Sequence, residues 1–324
     1  MDIKVLKTSE ISDSLWRQII DGFNEAFGLE ASIDDLKYGF CTQNKLGYGY
    51  HAIALSDEGE LMGFNTFSPG FYEGDLKTVF SGSVFVRKKF RTNDFLLMDL
   101  TNALRKRAID DGYEVELGAP NSNAEKFSSK VLKCVHIADL NYYILPIHPS
   151  RCLNKASISI FDPVFSLLCR IHIFMMGLLS VLFNSREKTV KYEMVTDDGF
   201  GSYRFPSRQY KSYKHDKYEA YYRMYNENGA KTAYLMDFRE NGIRTSRSLN
   251  KAVKFILKNE KVDAVMFVGL LRLYQGSLLK VPARFIPKRI PFTYHVLDKN
   301  NKDKYTDMGV ADNWNFSLMN FDVR

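Results

Sequence analysis

The sequence predicts an α/β protein, a mixed sheet with flanking helices followed by a second, divergent α/β domain. Three observations carry this. The chain has 324 residues, more than one typical core encloses. From Met1 to Pro146, runs of strand length alternate with runs of helical period. From Lys231 to Leu297 the β-α-β order recurs, although no repeat is visible residue by residue. The boundaries fall at 1–150 for the first domain, 151–190 for an apolar linker helix and 191–324 for the second domain.

The elements follow in order. Met1–Leu6 alternates as a strand does. Ser12 or Asp13 caps a helix whose apolar residues Trp16, Ile19, Ile20, Phe23 and Phe27 share one face. Ile33–Tyr38 reads as a short helix. His51–Ser56 and Leu61–Ser68 are strands joined by the hairpin turn Asp57-Glu58-Gly59. Lys77–Val86 is the next strand, Phe95–Ala108 a helix, and Glu114–Gly118 a buried strand. Ala124–Lys133 is a short helix and Leu140–Pro146 the last strand of this half. In the second half, Asp216–Tyr225 reads as an aromatic-rich helix capped by Asp216. Lys231–Phe238 is a strand and Ser246–Lys258 a helix. Ala264–Val268 is a buried strand, Leu270–Leu279 a helix, and Phe292–Leu297 and Asn315–Phe321 closing strands.

Val164–Phe183 is nearly long enough to span a bilayer. Ser166, Arg170, Gly177, Ser180 and Asn184 trace a narrow polar stripe along it. A true span would bury Arg170 in lipid. Two readings remain. The helix packs between domains, or it lies in a membrane surface with Arg151, Lys155, Arg186, Lys188 and Lys191 facing anionic headgroups.

Forty-five Lys and Arg against 38 Asp and Glu leave a net charge of +7, which suits an anionic partner without choosing one. The N-terminal stretch lacks the apolar core of a signal peptide, so a cytoplasmic protein is expected. Cys41, Cys134, Cys152 and Cys169 lie far apart without a CxxC pair, which points away from zinc and from a disulfide framework. No Ser-His-Asp order or Walker-type glycine loop is present.

Two stretches carry chemistry. Arg87-Lys88-Lys89-Phe90-Arg91-Thr92-Asn93-Asp94-Phe95 is a basic turn between a strand and a helix. A helix N-terminus offers amides and a favourable dipole to a pyrophosphate. Gly118-Ala119-Pro120-Asn121-Ser122-Asn123-Ala124 is a strand end followed by a turn, where Asn121 also suits a helix cap. An amine nucleophile must lose a proton, so carboxylates matter. Glu73 lies in the loop Phe71–Asp75, and Glu116 sits in an apolar strand. His136 and Tyr142 are weaker candidates.

The first stretch resembles the Gln/Arg-x-x-Gly-x-Gly/Ala turn of GNAT-type N-acyltransferases, with Thr92 and Asp94 at the glycine positions. Ala124–Leu132 resembles the helix that follows in that family. The whole chain is similar to two-domain bacterial GNAT proteins of surface-polysaccharide pathways, through Val84–Leu97, Gly118–Lys130, Tyr218–Arg223 and Asn313–Asp322. The resemblance implies a GNAT-like fold and acetyl-CoA or another acyl-CoA as cosubstrate. It implies that Arg91, Thr92, Asn93, Asp94, Phe95 and Leu96 hold the pyrophosphate. Main-chain groups of Phe85 and Val86 would hold pantetheine and polarise the thioester, with Asn121 beside the arm. Ser128 stands where the family places its Tyr acid. Gly82 stands where many members have a Glu, which leaves Glu73, Glu116 or water as the base. No phosphate turn is recognisable between Phe238 and Ser248, so the second domain is expected not to bind CoA.

The resemblance further implies a small-molecule amine as acceptor, such as an amino sugar, in the cytoplasm or peripherally at the inner membrane through 164–183. Nucleic acid is not expected as a partner. Two alternatives stand beside this: a FemABX-like tRNA-dependent aminoacyltransferase, and a catalytically inactive GNAT-like scaffold.

Overall fold

Alternating apolar residues in the first eighty positions become an antiparallel meander. The computed structural model describes all residues except 92–94, 198, 206–209, 228, 275 and 322–324. Strand β1 (Asp2–Lys7) precedes helix α1 (Asp13–Phe27), which Ser12 caps and Gly28 ends in the left-handed conformation. Then come α2 (Ile33–Cys41), β2 (Tyr50–Leu55), β3 (Leu61–Tyr72), β4 (Leu76–Ser81) and β5 (Phe85–Val86). Helix α3 (Leu96–Asp110), β6 (Val115–Gly118), α4 (Ser122–Lys130), β7 (Val135–Asp139) and β8 (Asn141–Pro146) follow. Next are α5 (Pro149–Cys152), α6 (Asp162–Leu182), β9 (Tyr192–Glu193) and α7 (Phe200–Arg204). Strands β10 (Lys211–His215), β11 (Tyr218–Glu227) and β12 (Ala230–Glu240) lead to α8 (Ser246–Asn259) and β13 (Ala264–Gly269). Strands β14 (Leu279–Lys280), β15 (Pro291–Val296) and β16 (Trp314–Asn315) and helix α9 (Leu318–Phe321) complete the chain.

These elements form two units. The first contains Met1–Asp139, Tyr192–Arg208 and Ile290–Asn313. Its sheet runs β1-β2-β3-β4-β6-β15-β7, with β5 beside β3; among the described residues β4–β6 is the parallel pair. Leu96, Leu100 and Leu104 of α3 pack on Ala52, Phe67 and Val79 on one face. Trp16 and Ile19 of α1 pack on Ile53, Phe64 and Phe85 on the other. A side chain at Gly22 would reach within 2.6 Å of the Phe85 ring, so glycine lets α1 sit directly over β5.

The second unit contains Leu140–Lys191, Gln209–Arg289 and Trp314–Arg324. Its sheet runs β10-β11-β12-β13-β8-β14, with β12–β13 parallel. Leu249, Val253 and Ile256 of α8 share its core with Cys169 and Ile173 of α6.

Several expectations change. Leu140–Pro146 does not end the first sheet: β8 pairs antiparallel with β13, and β15 joins β6 and β7 instead. The first unit therefore ends at Asp139 before resuming at Tyr192, so the 1–150, 151–190 and 191–324 divisions do not coincide with the units. Val135–Asp139 forms β7, where the sequence suggests no strand. Tyr218–Glu227 is a strand, not a helix: Asp216, at φ 52°, turns the chain, and Tyr218, Ala220 and Tyr222 are buried on alternate positions. The described residues of the expected helix Leu270–Leu279 are not helical. Their amides at Leu270, Arg272 and Ser277 donate to Phe316 C=O, Glu187 and Asn250, so tertiary partners replace the helical ladder. Asn315–Phe321 is a short strand and a helical turn rather than one strand.

Candidate active site

In the first unit, β4 and β6 pair in parallel from Thr78–Val115 to Ser81–Gly118. There the described ladder stops. Gly82 donates its N–H to Thr66 C=O at 2.9 Å, and the chain continues as β5 on β3. The two parallel strands thus part beyond Ser81 and Gly118. The N–H of Arg87 donates to Met62 C=O at 3.0 Å, so Phe85 and Phe64 form the next hydrogen-bonded pair of the ladder. Successive residues point their polar groups to opposite edges. The main chain of Val86 therefore faces away from β3, toward the opening, and that of Phe85 does not. The Phe85 side chain is core.

The basic turn is largely neutralised by its own unit. Glu25 of α1 accepts from the Lys88 N–H and from Arg87 Nε, each at 3.1 Å. That amide first, then the Arg87 guanidinium, holds the Glu25 carboxyl below its usual range. Glu60 pairs with Lys89 and with Arg87 at 3.5 Å. Arg91 is different. It is exposed, and its Nε donates to Val86 C=O at 3.1 Å, at the edge of the opening.

Beyond it α3 begins. Leu96 is fully buried and anchors the first turn, while Phe95 is exposed and its C=O accepts from the Asp99 N–H. The amides of Leu96, Leu97 and Met98 precede the first intrahelical bond and, among the described residues, no other segment accepts from them. Thr92, Asn93 and Asp94 lie outside the described residues.

The remaining candidates are dispersed. Asn121 Oδ1 accepts from the Ala124 N–H at 3.0 Å, which makes it the cap of α4. Ser128 is buried beside Cys134, whose N–H donates to its C=O at 3.0 Å. Burial first, then the charge of Glu116, pushes the Cys134 thiol up to about 11. Glu73 is exposed at the tip of the β3–β4 hairpin, with its N–H on Glu193 C=O at 2.8 Å. Strand rise places it roughly 20 Å from Gly82, at the far end of β4. Glu116 is buried and accepts from Arg105 Nε at 2.7 Å. His136 is exposed and paired with Asp139, and Tyr142 lies in the second unit.

Sequence reasoning missed Glu25 and Glu60, whose roles need a long-range contact. It also missed Thr293 of β15, whose hydroxyl donates to Gly118 C=O at 3.2 Å where β6 ends. No local signal marks any of them.

In the second unit β12, α8 and β13 repeat the order strand, turn, helix, parallel strand. The start of α8 is nonetheless occupied. The Ser246 N–H donates to Ser185 C=O at 2.9 Å, that of Arg247 to Asn184 Oδ1 at 3.1 Å, and that of Ser248 to Thr245 Oγ1 at 3.0 Å. No amide of that first turn is left for an anion.

No family model and no curated protein matches the sequence. Solved structures do match the fold. One is a GCN5-related N-acetyltransferase from Anabaena variabilis, with TM-score 0.54, 8% identity, and 92% of this chain and 73% of that chain covered. The chain has the GNAT fold. A protein of unknown function from Enterococcus faecalis, described as a probable N-acyltransferase, gives TM-score 0.55 at 9% identity over 92% of this chain and 73% of its own. A GCN5-related N-acetyltransferase from Kribbella flavida gives 0.53 at 11% identity over 92% and 71%. At these identities the fold does not assign the chemistry.

Proposed function

We propose that the first unit is an acyl-CoA-dependent N-acyltransferase, acetyl transfer being the simplest case, acting on an amino group of a small molecule such as an amino sugar of surface-polysaccharide biosynthesis. The support for this is the end of the parallel β4–β6 pairing at Ser81 and Gly118, with β5 continuing on β3 and Arg91 on the Val86 carbonyl. Arg91 and the amides of Leu96 to Met98 hold the pyrophosphate by charge and by the helix dipole. The Val86 N–H faces the arm and polarises the thioester carbonyl. A neutral amine attacks that carbon, the C–N bond forms, the C–S bond breaks, and the thiolate leaves. With Glu73 remote and Ser128 buried beside Cys134, solvent takes the amine proton and protonates the thiolate. Residues 164–183 hold the protein at the inner membrane surface.

Calorimetric titration with acetyl-CoA and longer acyl-CoAs tests this, and Arg91→Glu should abolish most of the binding. The position of Ser128 favours one second reading, a scaffold of GNAT fold without activity. Absence of any acyl-CoA binding by the folded protein would select it. Turnover that depends on added aminoacyl-tRNA would instead select the FemABX-like alternative.

A further inference from the structure

The cations that acyl transfer leaves unused gather in the second unit. A cavity of about 610 Å³ opens beside α6, the end of α8 and the start of β12. Arg151, Arg170, Lys231, Lys254, Lys258 and Lys261 line it, and all six are exposed. Its two carboxylates are already engaged. Asp263 accepts from His148 Nδ1 and the Lys231 N–H, each at 2.8 Å, and pairs with Arg151 at 3.4 Å. Glu260 accepts from Lys211 Nζ at 2.7 Å and from the Tyr222 hydroxyl at 2.9 Å. Arg170, Lys254, Lys258 and Lys261 have no ion pair among the described residues.

Helix α6 forms one wall, and it is amphipathic in the inverted sense. Its polar groups face the unit: Cys169 Sγ donates to Pro146 C=O, His172 Nε2 lies 3.2 Å from Ser277 C=O, and Met176 C=O accepts from Asn250 Nδ2. Its outer face carries Leu167, Ile171, Phe174, Leu178, Val181 and Leu182, each between 48% and 72% exposed. A water-facing helix has the reverse arrangement, and an apolar strip roughly 22 Å long is more than a soluble surface ordinarily shows. Phe174 and Leu178 are thus not packed against a domain, as a helix buried between domains would have them. Length and composition alone would let Ala156–Leu182 cross a bilayer. Both ends of the helix, however, join the same unit. It lies along a surface rather than through it.

An apolar strip with unpaired cations at its edge is complementary to one kind of partner. We infer that this face docks on an anionic phospholipid bilayer, with α6 at the boundary of headgroups and acyl chains and a lipid phosphate in the six-cation cavity. A protein partner would need only the apolar strip; the unneutralised cations select anionic lipid. This deepens the proposed membrane contact of 164–183 and is independent of acyl transfer.

The test is flotation of the full chain with vesicles of phosphatidylcholine alone and with added phosphatidylglycerol. Binding is expected only with phosphatidylglycerol and falls as salt rises. The double variant Lys254→Glu/Lys258→Glu lowers the bound fraction about tenfold or more, with its thermal melt unchanged. Phe174→Ser/Leu178→Ser lowers it as well. If the charge-reversed protein floats like the parent, the phosphate cavity is refuted while the membrane contact stands. If the folded parent floats on neither vesicle, both are refuted. Binding of inorganic phosphate that depends on Lys254 and Lys258, without flotation, assigns the cavity to a soluble phosphate and also overturns the proposal.

Discussion

At the residue scale, four basic residues in one turn have different fates. Arg87 and Lys89 answer to Glu25 and Glu60, and the Lys88 amide to Glu25, while Arg91 sits on the Val86 carbonyl at the end of β5. Arg91→Glu should weaken acyl-CoA binding by about 1–3 kcal/mol with the melting temperature unchanged; titration calorimetry measures both the loss and its absence. Glu73→Gln should change turnover less than about twofold, because a base must lie within hydrogen-bond reach of the amine. A large loss in kcat across the pH range would return Glu73 to the site. His51 makes the opposite kind of prediction. It is fully buried among Trp16, Phe40 and Phe64, its Nε2 lies 2.9 Å from Thr8 Oγ1, and burial lowers its pKa to about 3. The unfolded chain titrates this ring near its ordinary 6.5. Between these values the unfolded state binds more protons, so stability falls as pH drops through that window. Denaturant melts from pH 7 to pH 3 should show this slope, and His51→Phe should flatten it.

At the element scale, helix starts separate the two units. The first amides of α3 are unclaimed by any other described segment, whereas those of α8 are taken by Asn184, Ser185 and Thr245. The start of α4 is closed by Asn121. Asn121→Ala should therefore cost about 0.5–2 kcal/mol of stability as a lost cap. Acyl-CoA affinity, measured below the melting range, should stay put; a tenfold affinity loss would instead place this side chain on the pantetheine arm.

At the scale of the whole molecule, each unit has a parallel strand pair with a helix between its strands in sequence, and among the described residues the first amides of α3 are unclaimed by another segment while those of α8 are taken. Acyl-CoA should bind with a stoichiometry of one per chain. Calorimetry giving two sites would mean that Asn184 and Ser185 leave α8 on binding. Each sheet also takes a strand from a distant stretch of chain, β15 in the first and β8 in the second. Neither sheet should therefore persist when the chain is cut near position 150, and limited proteolysis there followed by a melt reads this directly.

What the sequence determined by itself was local. The period of apolar residues placed α1, α3 and α8, and the Asp57–Gly59 turn placed the β2–β3 hairpin. These signals lie within one helical turn or one hairpin, where spacing alone carries the information. Tertiary structure decided the rest. Whether Leu140–Pro146 closed the first sheet or joined the second depended on the edge offered by β13, far along the chain. Whether Tyr218–Glu227 was helix or strand depended on β12 beside it, since its aromatic residues suit either period. Glu25 and Glu60 reached the basic turn, and Ser128 came to lie beside Cys134, only once α1, the β2–β3 turn and the end of α4 were packed. Such partners leave no periodic trace, because a contact between distant segments constrains the two side chains that meet and not the residues around them.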